Sequence, residues 1–192
     1  MRKYMAAGSL IALVAAAPAF AEDFSYNYLD VGYVSTEIDD FDLDGDGFAI
    51  GGAFEFNRNV FGFANAVDVN YDAGVGTNAI TVGVGFAWEL GTSLDLVSGI
   101  AYERLRLHVD GEGSVTDTGF SLNTGLRGRV SENLELTGTV KYIDFGDDVD
   151  DFTLGVGARY YFTPSFAAGI DVTDNDDGNS WLVSLRYDFG NR

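Results

Sequence analysis

From about residue 26 to its end, this chain repeatedly alternates large apolar side chains with small or polar ones, in ten separate stretches. A period of two is the signature of a β-strand whose two faces meet different surroundings, and no stretch after residue 22 carries the 3.6-residue period of an amphipathic helix. Over 48–57, Phe48, Ile50, Gly52, Phe54 and Phe56 share one face, against Ala49, Gly51, Ala53, Glu55 and Asn57. Over 80–90, Ile80, Val82, Val84, Phe86, Trp88 and Leu90 oppose Thr81, Gly83, Gly85, Ala87 and Glu89. Over 181–189 the apolar face is Trp181, Val183, Leu185, Tyr187 and Phe189. Further strands are predicted over 26–35, 60–71, 94–107, 116–130, 134–145, 152–162 and 166–173.

The connections differ by side. Arg58-Asn59, Gly91-Thr92-Ser93, Ser131-Glu132-Asn133 and Thr163-Pro164-Ser165 are tight turns, and the links between them are longer, acidic and glycine-rich. Short turns at one end and longer loops at the other, on strands long enough to cross a bilayer at a tilt, define an antiparallel up-and-down transmembrane β-barrel, expected to set its termini and tight turns in the periplasm and its acidic loops outside the cell. Ten strands are counted, with eight as the smaller alternative.

A soluble barrel would turn its large side chains inward and solvate the other face. Here the second face is rich in Gly, Ala, Ser and Thr interspersed with charges, which suits a narrow lumen. Aromatics also sort by height. Phe54, Phe56, Phe61, Phe63, Trp88, Tyr160, Phe162, Phe166, Tyr187 and Phe189 fall near the tight turns, and Tyr33, Phe48, Tyr71, Tyr102, Tyr142, Phe152 and Trp181 near the longer links. Two such girdles belong at the two membrane interfaces. Asn65 and Ser98 interrupt the apolar face, each a place for a bulge to re-aim a side chain.

The N-terminus reads as a leader: Arg2-Lys3, an apolar run from Met5 to Ala17, then Ala19-Phe20-Ala21. The run is too short to span a membrane and ends in a small-residue cleavage site, so residues 1–21 are expected to be a signal peptide and 22–192 the barrel domain. The chain has no cysteine, which excludes disulfides and thiolate chemistry. Without Arg2 and Lys3, nine basic residues face 30 acidic ones, a net charge near −21 against −19 for the whole chain. Nucleic acid is not an expected partner.

Two segments resemble the small outer-membrane β-barrel proteins related to the OmpA transmembrane domain: the opening Ser25-Tyr26-Asn27-Tyr28 with Gly32-Tyr33-Val34, and the closing Leu185-Arg186-Tyr187-Asp188-Phe189. The resemblance implies an outer-membrane location, contact with outer-membrane lipid and lipopolysaccharide, and a final strand whose Tyr187 and Phe189 are read by the barrel-assembly machinery. Here Gly190-Asn191-Arg192 follow the terminal aromatic, a departure from that pattern. The family's members are mostly structural, adhesive or weakly pore-forming.

Alternation places charges in the lumen: Asp30, Glu55, Asp68, Glu89, Asp95 and Glu103 on the first five strands, and Arg127, Arg129, Lys141, Arg159 and Arg186 on the later ones. Barrel closure is expected to bring the two groups face to face as an ion-pair network, either a structural plug or the lining of a permeation path. In the first link, Asp42, Asp44 and Asp46 with Gly45 and Gly47 match the start of a calcium loop. Its closing acid is missing, because Ala53 stands eleven residues after Asp42. Weak binding of calcium or magnesium at these acidic loops, helped by Asp39 and Asp40, is the only cofactor expectation, and Asp147, Asp148, Asp150, Asp151, Asp174, Asp176 and Asp177 are read likewise. The sole histidine, His108, has no nucleophile at a telling spacing. The leading expectation is a monomeric, non-enzymatic envelope protein with a structural or surface-interaction role. A narrow channel for small solutes is the alternative, and an outer-membrane hydrolase the third.

Overall fold

The computed structural model describes residues 24–38, 43–146, 150–175 and 178–190, so the predicted leader lies outside the described residues. Ten strands follow one another: β1 (Tyr28–Ile38), β2 (Leu43–Asn57), β3 (Val60–Tyr71), β4 (Val75–Gly91), β5 (Leu94–Val109), β6 (Gly113–Ser131), β7 (Leu134–Asp144), β8 (Asp150–Thr163), β9 (Phe166–Asp174) and β10 (Gly178–Asp188). Each pairs antiparallel with its sequence neighbour, and β1 pairs with β10 from Tyr28↔Asp188 to Ile38↔Gly178, closing the barrel. The count is ten, not eight. Several strands run further into the acidic links than their alternation suggested. β2 begins at Leu43, β4 at Val75 and β6 at Gly113, leaving only a 3-10 turn (Asp72–Gly74) between β3 and β4. Gly74 and Gly111 hold positive φ angles of 73° and 82° in these short reversals, a conformation that a side chain would strain.

The four tight turns share one construction. In each hairpin the register slips by one beside the turn, between Glu55 and Asn57, Glu89 and Gly91, Arg129 and Ser131, and Tyr161 and Thr163. The unmatched residues are Phe56, Leu90, Val130 and Phe162, all large and apolar. Each turn then ties to the next hairpin through a carbonyl: Asn59, Ser93, Asn133 and Ser165 accept from the amides of Ala87, Arg129, Tyr161 and Asp188 at 2.8–2.9 Å. The backbone at this rim is therefore paired where the ladder ends.

One slip of register exchanges the faces of a strand. Asn57 opposes Val60 at the turn, and continuing that register would set Phe61 and Phe63 opposite Phe56 and Phe54, on the lipid side. After the bulge Glu55 opposes Phe61 and Ala53 opposes Phe63, so both rings point into the lumen. This corrects the expected girdle: Phe61 is 6 % exposed and stacks on Tyr26 at 4.5 Å with 13° between the rings. Asn65 shares the inward parity of Phe61 and Phe63, so no bulge at Asn65 itself is needed. Tyr71 also faces inward, opposite Gly45. Ser98 does stay outside, where its hydroxyl meets that of Thr124 at 2.8 Å across the β5–β6 pair.

The inverted β3 needs space opposite its rings, and β4 supplies it. A methyl group added at Gly83 would lie 2.5 Å from the Phe63 ring, and one at Gly85 would collide with Phe61. Tyr26, Ala53, Phe61 and Ala87 form the buried apolar cluster, flanked by Phe24, Tyr28, Phe63 and Val97. Outside, ring pairs Phe54–Phe56, Phe86–Trp88, Tyr160–Phe162 and Phe166–Tyr187 mark the tight-turn girdle, with Tyr33–Phe48, Tyr33–Trp181 and Tyr102–Phe120 at the other end.

Val84→Arg should cost about 2–4 kcal/mol of folding free energy in lipid vesicles, because this outward side chain sits in the middle of a spanning strand. Gly85→Ala should cost about 1–3 kcal/mol by overpacking Phe61. At Gly138, where an added methyl meets nothing within 4 Å, Ala should be close to neutral. Urea unfolding of the refolded variants measures all three.

Candidate functional site

The interior toward the tight-turn end is an ionic cluster grafted onto the aromatic one. Arg127 and Arg129 on β6 alternate inward with Glu135 on β7, and all three are at most 5 % exposed. Arg127 donates through Nε and Nη2 to Glu135 at 3.0 and 2.8 Å, and Arg129 donates to the other carboxylate oxygen at 3.2 Å. A planar guanidinium satisfies a carboxylate with two donors at once, which makes a buried pair tolerable. Arg127 also reaches across the barrel to the Ser25 carbonyl at 2.9 Å and lies over the rings of Phe24 and Tyr26 at 4.8 and 5.0 Å. The segment 24–27 thus crosses the tight-turn mouth and is pinned from β6, halfway round the barrel.

Tyr26 donates its hydroxyl to Asp95 at 2.7 Å, and burial pushes this phenol well above its ordinary range, so it remains a donor. Glu55 accepts from the Tyr26 amide at 3.0 Å and the Asn27 amide group at 2.5 Å. Along the wall, Arg186 pairs with Asp30 at 2.6 and 2.9 Å across the β1–β10 seam, its guanidinium 3.5 Å from the centre of the Tyr28 ring. Arg159 lies 3.6 Å from Asp171 and 4.0 Å from Asp30. Lys141 reaches Glu103 at 2.8 Å, and the hydroxyls of Thr81 and Ser121 donate to the same carboxylate, each at 2.6 Å. Beside these groups remains a cavity of about 350 Å³, bordered by Asn65, Thr81, Asn123, Thr137, Thr139 and Lys141.

Of the predicted lumen charges, Asp30, Glu55, Asp95, Glu103, Arg127, Arg129, Lys141, Arg159 and Arg186 enter this interior, and two do not. Asp68 faces outward, opposite Phe48 and Asn78, because β3 is inverted. Glu89 stands at the turn rim beside the bulge and pairs with exposed Arg58 at 3.3 Å. The expected meeting of early acids and late bases occurs for Asp30 with Arg186 and Arg159 and for Glu103 with Lys141, while Arg127, Arg129 and Arg159 also take late-strand acids on neighbouring strands. Glu135 and Asp171, which hold three of the arginines, escaped the reading although each alternates with apolar residues, Leu134 and Leu136 in one case and Ile170 and Val172 in the other.

Asp42 lies outside the described residues, as do Asp39, Asp40, Asp147, Asp148, Asp176 and Asp177. Asp44 and Asp46 belong to β2, opposite Glu37 and Ser35, rather than to a loop. Two residues apart on one strand, their carboxylates project in parallel about 7 Å apart instead of converging. Asp46 accepts from the Tyr33 hydroxyl at 2.8 Å. Among the described residues no group of three His, Asp or Glu side chains is placed to hold a metal. His108 faces outward and lies 3.3 Å from Asp110, while Ser114 opposite it accepts from Arg106 at 3.0 Å. Tyr187 and Phe189 face outward in the tight-turn girdle, and the Phe189 amide donates to Asn27 at 3.0 Å.

Glu135→Ala removes the anion between two buried guanidinium groups and should cost about 3–5 kcal/mol in urea unfolding. Arg58→Ala, which breaks only the exposed pair with Glu89, should change stability by about 0.5 kcal/mol or less.

No curated protein matches the sequence. Among solved structures, the outer membrane protease OmpT from Escherichia coli is 12% identical with a TM-score of 0.53, the match covering 88% of this chain and 100% of that one. A KdgM porin is 13% identical at a TM-score of 0.50, over 84% and 99%. The N-terminal β-barrel domain of Pseudomonas aeruginosa OprF is 10% identical at 0.48, over 84% and 98%. For the protease and the KdgM porin the likeness is one of fold, and two such different proteins on one architecture carry no activity to this chain. The family profile described as outer membrane protein beta-barrel domain matches residues 7–162, so this ten-stranded barrel belongs to the outer membrane protein beta-barrel family and is a protein of the outer membrane.

Proposed function

We propose that this protein is a non-enzymatic element of the outer membrane that acts through its walls and surface-exposed ends rather than by passing solutes. The observation that carries this reading is the burial of Arg127, Arg129 and Glu135 beneath the 24–27 segment, which fills the tight-turn mouth with paired charge and aromatic rings. A conducting lumen needs a continuous wet path, and charges held this tightly serve as a plug. The narrow-channel reading draws on the cavity bordered by Asn65, Thr81, Asn123 and Lys141. It requires the plug to move.

Planar-bilayer recording of the refolded protein separates the two. The wild type should give no stable single-channel steps, whereas Arg127→Ala, which unpins the 24–27 segment, should give small cation-selective ones, since Asp95, Glu55 and Glu135 then line the opening. Large, stable wild-type pores would move the channel reading into first place.

A further inference from the structure

The inversion of β3 shapes the outside of the barrel as well as the inside. With Phe61 and Phe63 turned inward, its lipid face carries only Val60, Gly62, Ala64 and Ala66 before Asp68 and Asn70. Small side chains between the larger ones of β2 and β4 leave an apolar groove of about 800 Å³, bordered by Ile50, Phe54, Ala64, Ala66, Ile80 and Val82.

Toward the surface the groove changes chemistry. Ala66 and Ile80 give way to Asp68 and Asn78, and a second groove of about 520 Å³ opens between Asp68, Asn70, Asn78, Arg104, Arg106 and His108. Arg104, Arg106 and His108 are successive outward residues of β5, directly beyond Tyr102, which pairs edge-on with Phe120 in the upper girdle. Arg104 is about 7 Å along the strand from that aromatic, at headgroup depth. Opposite them β6 presents Thr118, Thr116 and Ser114, all hydroxyls. The acid that lines this groove, Asp68, is engaged by the Asn78 amide at 3.3 Å, and Asp110 at its upper edge lies 3.3 Å from His108.

The concentration of base here is notable in so acidic a chain. Of the basic residues beyond the predicted leader, Arg127, Arg129, Lys141, Arg159 and Arg186 are inside, Arg58 is at the opposite rim, and Arg192 lies outside the described residues. Arg104 and Arg106 are the two that remain, and both face outward side by side. Arg104 makes no hydrogen bond or ion pair with any described residue.

We propose that these two adjoining grooves form one binding site for a phosphorylated lipid of the outer leaflet, with an acyl chain lying along Ala64 and Ala66 and a headgroup phosphate held by Arg104 and Arg106. Guanidinium groups suit phosphate by paired donors, the hydroxyls of Thr116 and Thr118 and the Asn78 amide add neutral donors, and the small residues below admit a chain that a free anion lacks. The site rests on the membrane placement of the barrel and is independent of whether its lumen conducts.

Native mass spectrometry of the folded protein in detergent tests this, with bisphosphorylated lipid A, its dephosphorylated form and inorganic phosphate as probes. The wild type should retain one lipid A, and Arg104→Gln with Arg106→Gln should weaken its retention roughly thirty-fold. Dephosphorylating the lipid should weaken wild-type binding to the same extent. Ala64→Leu with Ala66→Leu should also lose the lipid by filling the lower groove, and Arg58→Gln should bind as the wild type does. Gel mobility before and after boiling confirms that each variant is folded. Undiminished lipid A binding by folded Gln variants overturns the headgroup assignment. Undiminished binding by folded Leu variants, or displacement of the lipid by millimolar inorganic phosphate, overturns the lipid assignment.

Discussion

A backbone in hydrocarbon has no water to bond with, so every amide and carbonyl of a spanning strand must be paired with another strand. In this protein that requirement is met by the seam at which β1 closes on β10, along the full length of β1. Closure abolishes the sheet's edges and divides all side chains into an inside and an outside. The same seam holds the Arg186–Asp30 pair on its inner side and Tyr33 against Trp181 on its outer side. The core of this protein is therefore its lumen, and it is half aromatic and half ionic. Tyr26, Phe61 and Phe63 fill one part, and Arg127, Arg129 and Glu135 the other.

Such a core has an unusual balance. Buried ion pairs contribute little net stability compared with apolar packing of the same volume, but removing one partner is expensive. The arrangement favours a single, fixed interior over a deformable one. Segment 24–27 belongs to that interior: its rings lie under Arg127 and Arg129, its Ser25 carbonyl accepts from Arg127, and its Asn27 carbonyl accepts from Phe189. The N-terminal end, the C-terminal end and β6 are thereby joined at one mouth.

Strand number and most of the lumen charges were legible in the sequence because each strand carries its own alternation, and lipid on one side makes that alternation strict. Val84, Leu185 and Arg159 declare their faces without reference to any neighbour. β3 was misread because both of its faces are ambiguous: Phe61 and Phe63 on one, Asp68 and Asn70 on the other. Its orientation was decided by a bulge at Phe56, which the sequence does not announce. Asp68 was lost to the lumen by that same slip, and the outward grooves went unseen because they exist only once β3 is turned. Glu135 and Asp171 share the inward parity of their strands, but they stand on late strands beside the bases, and alternation alone does not say which neighbours pair. Loop length was overestimated because polar residues such as Asp44, Asp46 and Thr77 continue the strands beyond the membrane, where pairing is still favourable.

The central claim is that the bulged turn before β3 sends its aromatics inward and its small residues toward lipid. The chain has no cysteine, so single cysteines at residues 61 to 66 can each carry a small fluorophore in vesicles containing a lipid-soluble quencher. Labels at 62, 64 and 66 should be quenched strongly, and those at 61, 63 and 65 weakly. The opposite alternation would show that the register of β3, and with it the division of the lumen described above, is wrong.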